Sequence, residues 1–208
     1  MIKGVIFDFD GVIAESVSIK TDAFATLYKS YGEEVINKVI EHHELNGGMS
    51  RFKKIKFYHE SFIHKKINEK EIEALAEKFS NLVVNKVINA PYVLGVIDYI
   101  KECSKKYTLF ISTGTPTDEI KKILKGRGLS QYFTKVYGSP ESKTVHLRRI
   151  IAKYGFNNDE LLFYGDSNSD IMAAKNLRIP FILIKNSFNK SIVVSFQGKI
   201  INNFMELL

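Results

Sequence analysis

VIFDFDGVIAES, residues 5–16, sets three apolar residues directly before two aspartates, Asp8 and Asp10, with a glycine behind them. Alternate residues of a strand project to the same side, so the two carboxylates are expected to face one region. Held about 4 Å apart, such groups repel by roughly 4 kcal/mol at an effective dielectric of 20 unless a cation or a proton lies between them. A turn after a strand, with Gly11 at positive φ, accounts for DFDG taken alone. Its meaning therefore depends on what other strand ends carry.

Short continuous apolar runs recur at VIF (5–7), YTLFI (107–111), KVY (135–137), LLFY (161–164) and FILI (181–184). Runs of this kind suit a parallel sheet covered on both faces. Helical patterns separate them, at 92–104, 142–154 and 168–177. TPTDEIKKILKGRGL (115–129) adds one more, with Thr115 as expected N-cap, Pro116 as first helical residue and Gly126 or Gly128 as stop. Strand–helix–strand units predict an α/β, doubly wound parallel sheet, with ligands at the carboxyl ends of the strands.

Residues 16–89 break this alternation. Apolar stripes at helical spacing run through Ile19, Ala23, Phe24, Leu27 and Tyr31, then Val35, Ile36, Val39 and Ile40, then Phe52, Ile55, Tyr58 and Phe62. Asn68 and Glu71 form a capping box before a long helix through Ile72, Leu75, Ala76 and Phe79. Asn89-Ala90-Pro91 returns the chain to the sheet. The expected division is a core of 1–15 and 90–208 with a helical unit, 16–89, inserted after the first strand. His42 and His43 read as helix-end residues, and the aromatic stripes as core.

The 208 residues, 45% hydrophobic and 25% charged, describe an ordinary globular chain. One cysteine, Cys103, excludes an internal disulfide. No apolar run nears the ~20 residues that cross a bilayer, and the N-terminus lacks a signal-peptide pattern, so a cytoplasmic protein with no membrane partner is expected. The net charge of +7 is carried by scattered lysines without an aromatic-interleaved basic block. It reads first as a solvated basic surface, and beyond that it favours a small anionic substrate over nucleic acid. Oligomeric state is left open.

Three more strand ends carry chemistry. YTLFISTGTP ends in hydroxyls, Thr113 being the better placed, before Gly114 and a helix N-terminus. LLFYGDSNSD ends in Asp166, with Asp170 one helical turn on. Lys143 heads the 142–154 helix, where it opposes the macrodipole unless an anion lies near. Together these strand ends bring Asp8, Asp10, Thr113, Lys143 and Asp166 to one rim. The set suits phosphoryl transfer to a carboxylate nucleophile, with Mg²⁺ cancelling charge repulsion, lysine and hydroxyl holding phosphoryl oxygens, and a second carboxylate moving protons.

DFDGV (8–12), Thr113, Lys143 and GDSNSD (165–170), in this order, resemble the four motifs of the haloacid dehalogenase (HAD) superfamily over nearly the whole chain. The resemblance implies a Rossmann-like core with a helical cap that closes over the site and helps select substrate. It implies Asp8 as nucleophile and Asp10 as general acid/base. Mg²⁺ would be held by Asp8, the main-chain carbonyl of Asp10 and Asp166, with Asp170 in support. Thr113, Gly114 and Lys143 would hold the phosphoryl group. An acid at Asp10 argues for a phosphate ester and against a halide or phosphonate. Lys143 sits in GSPESKT and not in the Lys-Pro context common among relatives of phosphoglycolate phosphatase and β-phosphoglucomutase, with Lys135 as the spare candidate. NGGMSRFKK (46–54) is similar to the cap loop lowered onto substrate, and Arg51 is expected to contact the leaving group. The implied activity is an Mg²⁺-dependent phosphatase of a small phosphorylated metabolite. A phosphomutase of the β-phosphoglucomutase type is the alternative. A phospho-aspartate signalling or binding protein fits less well, because a receiver domain carries its aspartate after a middle strand and lacks such an insert.

Overall fold

A computed structural model describes residues 1–208. Six strands, β1 (Gly4–Phe7), β2 (Thr108–Pro116), β3 (Lys135–Ser139), β4 (Leu161–Gly165), β5 (Phe181–Ile184) and β6 (Lys199–Ile201), form one sheet in the order β3-β2-β1-β4-β5-β6. Every neighbouring pair is parallel. All four residues of β1 are buried, as a central strand covered on both faces requires. The chain winds outward from β1 through β2 to β3, then crosses back to β4 on the other side. That reversal puts the switch point beside β1, where Asp8 leaves the sheet.

Four helices separate β1 from the rest: α1 (Val17–Leu27), α2 (Glu33–Leu45), α3 (Arg51–Ser61) and α4 (Glu69–Ile88). The core helices follow as α5 (Val96–Ser104), α6 (Thr117–Gly126), α7 (Lys143–Tyr154), α8 (Asn168–Leu177) and α9 (Lys190–Ser195). The capping box at Asn68 and Glu71 is present. The aromatic stripes are core, with Phe24, Tyr58 and Phe79 buried in one apolar cluster that also holds Phe7, Ile111 and Ile120 of the α/β layer. Insert and sheet thus share a continuous core. Where the chain leaves and returns, Glu15 N–H donates to the Pro91 carbonyl at 2.9 Å and Val93 N–H to Ile13 at 3.1 Å.

Several elements differ from the sequence expectation. The helix expected from 92 begins at Val96, because residues 92–93 bond to the outgoing chain and Gly95, at φ +78°, makes the turn. β2 runs on to Pro116, which takes the N-cap position of α6, and Thr115 turns its hydroxyl to Asp10. Lys135 stands exposed at the start of β3, away from the strand's carboxyl end, which removes it as a spare for Lys143. Ser50 occupies the N-cap of α3, but its hydroxyl makes no bond. β6 and α9 were without a sequence signal, their segments being short and flanked by polar residues.

Candidate active site

The carboxyl ends of β1, β2 and β4 converge on one cavity of about 70 Å³, closed from above by α1, α3 and the loop between α2 and α3, and the head of α7 reaches its floor through Lys143. Asp8, 2% exposed, lies at its floor. Its backbone N–H continues the β-ladder to Tyr164, and its Oδ1 accepts from Phe9 N–H at 2.6 Å. Its Oδ2 accepts from Lys143 Nζ at 2.5 Å, and the same ammonium reaches Asp170 Oδ1 at 2.5 Å. The lysine that opposed its own helix dipole is thereby matched by two buried acids.

Carboxylate oxygens of Asp8, Asp166 and Asp170 lie within 4.8 Å of one another. Burial outweighs Lys143 and, with Asp170 and Asp10, pushes Asp8 up to about 6. Burial and the charges of Asp8 and Asp170 raise Asp166 well above the ordinary carboxylate range. Lys143 loses charge stability to burial but gains more from Asp170 and Asp8, which raise it. Three crowded carboxylates against one ammonium leave an excess of negative charge, and their hard oxygen donors fit Mg²⁺. Asp8 and Asp166 are the side chains that could hold it. Asp170 is committed to Lys143 and, through its other oxygen, to Ser167 O–H at 2.5 Å and N–H at 3.1 Å. Asp166 is oriented by Asn186 Nδ2 on its Oδ2 at 2.8 Å, and by Asn189, which grips its carbonyl at 2.8 Å. A Cβ on Gly11 would come within 2.2 Å of that Oδ2, so glycine's φ of +74° and its lack of a side chain are both used.

Asp10 lies outside this cluster. Its Oδ1 accepts from Ser16 at 2.6 Å, and its Oδ2 from Thr115 at 3.1 Å and from Lys20. Lys20 also reaches Thr115 Oγ1 at 2.6 Å. Burial alone would raise Asp10, but Lys20 and the two hydroxyls hold it below the usual carboxylate value. The expected mutual repulsion of Asp8 and Asp10 is therefore relieved by giving each its own lysine. Thr113, 1% exposed, and Gly114 line the cavity as expected. A Cβ on Gly114 would lie 2.5 Å from the Gly48 carbonyl oxygen, so the loop of the insert rests directly on the end of β2.

Arg51 departs from the expectation. It borders the cavity, but Glu119 of α6 binds its guanidinium through both carboxylate oxygens. Ser80 accepts a further bond at 2.6 Å, and the Phe79 ring lies 4.5 Å away. Its charge is matched across the junction of insert and core, which a motif-by-motif reading has no means of seeing. Lys20, Lys54 and His43 were likewise missed, since each lies on a helix whose inward face is fixed only by packing.

The sequence profile of the haloacid dehalogenase-like hydrolases matches residues 5–184. The chain belongs to that family. Among haloacid dehalogenase-like relatives, phosphoglycolate phosphatase 1 of Pseudomonas aeruginosa is 25% identical over 214 residues, covering 98% of this chain and 78% of its own. β-Phosphoglucomutase of Clostridium difficile superposes with a TM-score of 0.80 at 19% identity, over 100% of this chain and 94% of that one. The HAD-hydrolase YfnB of Bacillus subtilis, solved bound to magnesium and described as undergoing interdomain movement, superposes with a TM-score of 0.73 at 15% identity, over 99% and 96%. These likenesses establish the haloacid dehalogenase-like fold, and no helix is long and apolar enough to cross a membrane.

Proposed function

We propose that this haloacid dehalogenase-like hydrolase is an Mg²⁺-dependent phosphatase that cleaves a small phosphate monoester through an aspartyl-phosphate on Asp8. The observation that carries this reading is the double arrangement around one cavity. Buried Asp8 and Asp166 share the negative corner braced by Lys143, while Asp10 is held apart by Lys20 and Thr115. The relatives named phosphoglycolate phosphatase support the class of substrate.

In the first step an Asp8 carboxylate oxygen attacks phosphorus, and the bond to the leaving oxygen breaks. Lys143 braces Asp8 against rotation, and Thr113 and the backbone at Gly114 offer donors to the phosphoryl oxygens. Bound Mg²⁺ would offset the repulsion between carboxylate and phosphate, with Asp8, Asp166 and the Asp10 carbonyl as its protein ligands. Asp10 supplies a proton to the leaving alkoxide, then removes one from the water that opens the acyl phosphate. Lys20 favours the ionised form of Asp10, which suits the second step. For the first, the entering ester has to loosen the Lys20 contact so that Asp10 carries its proton. The closed loop at Gly48 excludes bulk water while the ester bond breaks.

The test is a panel of phosphorylated metabolites with Mg²⁺, scored by phosphate release. Turnover should cease in EDTA and return with Mg²⁺. Asp8→Asn should be folded and inactive, and substantial residual turnover in a clean preparation would overturn the nucleophile assignment. Phosphate release that requires a bisphosphate activator would favour a phosphomutase.

A further inference from the structure

Of the lysines and arginines lining the cavity, Lys54 has no acidic partner. Arg51 is matched by Glu119 and Lys20 by Asp10. Lys54 is 1% exposed on the inward face of α3, and its Nζ makes two hydrogen bonds, both to His43: Nδ1 at 2.8 Å and the carbonyl oxygen at 3.2 Å. An ammonium carries three donors, so one is left over at a residue that lines the cavity. Because Nδ1 accepts, His43 is neutral with its proton on Nε2, and that N–H finds no acceptor within the chain. Phe24 packs against both groups, 4.8 Å from the His43 ring and 5.8 Å from the Lys54 nitrogen. Glu44 borders the same cavity but is exposed and makes no ion pair with Lys54.

A buried cation without a counter-charge is unfavourable for folding. Burial and the neighbouring Lys20 outweigh the charge of Asp10, itself paired with Lys20, and pull the Lys54 ammonium down to about 7. The packing of the insert uses Lys54 as a donor to His43, but a neutral donor would serve those two bonds, so nothing there calls for the charge. The same group faces the space that a leaving group has to fill.

We infer that Lys54 and His43 form a leaving-group subsite for a compact anion, a carboxylate or a second phosphate, on the part of the substrate remote from Asp8. This rests on the phosphatase reading above. Such an anion accepts the spare Lys54 donor and the His43 Nε2–H together, and supplies the missing counter-charge between apolar walls, where the attraction is strong. A neutral hydroxyl leaves the ammonium unmatched, so a site built this way rejects the uncharged analogue.

The experiment uses three esters on one two-carbon skeleton, with Mg²⁺: 2-phosphoglycolate, ethylene glycol bisphosphate and 2-hydroxyethyl phosphate. p-Nitrophenyl phosphate serves as a separate control. The wild type should favour one anionic ester over the neutral one by about ten- to a hundredfold in kcat/KM, and which one identifies the anion. Lys54→Met should shrink that ratio to about threefold or less, chiefly through KM. Lys54→Gln, which keeps a donor and drops the charge, answers the same question should Lys54→Met fold poorly. Lys54→Arg should restore part of the preference. A wild type that hydrolyses p-nitrophenyl phosphate but shows no anionic preference overturns the subsite alone, as does a charge-free variant that keeps the preference. Failure to turn over any ester, the control included, overturns the phosphatase reading beneath it.

Discussion

Lys20 shows how much a single side chain can decide here. Its ammonium joins Asp10 to Thr115 and keeps the candidate acid/base ionised at rest. Lys20→Met should let the Asp10 pKa rise, because burial then acts without its largest opponent. The expected outcome is a fall in kcat of about ten- to a hundredfold and an upward shift of the acidic limb of the pH–rate profile. An unchanged profile would separate Lys20 from proton transfer. Asp8, Asp10 and Asp166 were legible from the chain because each follows an apolar run that can only be a buried strand. Lys20 was not, for its helix presents several polar residues and only packing selects which one turns inward. Thr115 illustrates the same limit. Its position before Pro116 suggested a helix cap, yet the hydroxyl serves a carboxylate more than a hundred residues away in sequence.

Among the elements, α7 and α6 carry the sharpest consequences. One turn beyond Lys143, His146 is fully buried; its Nε2–H donates to the Gly138 carbonyl at 3.2 Å, and its Nδ1 accepts from the Ser112 hydroxyl at 3.0 Å. Burial, helped by Lys143 and Arg149 and opposed by the Gly138 carbonyl, lowers it to about 4. An unfolded histidine binds its proton near 6.5, so the unfolded state takes up more protons between 6.5 and 4. Stability should therefore be fully present above pH 6.5 and fall as pH drops towards 4, by up to about 3 kcal/mol. His146→Gln should flatten that part of the denaturation-versus-pH curve, and an unaltered curve would assign the acid sensitivity elsewhere. On α6, Glu119→Ala would strand the Arg51 guanidinium in the interior at a cost of about 3–5 kcal/mol. The double replacement Arg51→Met with Glu119→Leu should cost less than Glu119→Ala alone, measured by denaturant unfolding. The capping box of α4 was readable because its signal is local. The Arg51–Glu119 pair was not, since it spans two units brought together only by the fold.

For the molecule as a whole, the shared apolar cluster of insert and sheet predicts a single cooperative unfolding transition, with coincident fluorescence and circular dichroism midpoints. Two separate transitions would mean that the units are stabilised independently. Seating of the insert depends on the contact of Gly48 with Gly114. A methyl group at Gly114 would meet main chain and not a flexible side chain. Gly114→Ala should lower kcat/KM at least about tenfold with little change in melting temperature, since closure and not the core is obstructed. The α/β alternation and the place of the insert were visible in the sequence as changes of hydrophobic period. The intimacy of the closed interface was not, because backbone-to-backbone contacts leave no mark beyond a glycine. The crossing between the two units carries a broader lesson. Departing and returning strands of chain run side by side at Glu15 and Pro91, so the helical unit is attached like a pendant from one narrow clasp. Exchange or lengthening of the helices beyond α1, with Ser16 and Lys20 kept on Asp10, would alter which molecules are admitted while the reacting carboxylates keep their places, and selectivity is free to diverge without reinventing the reaction.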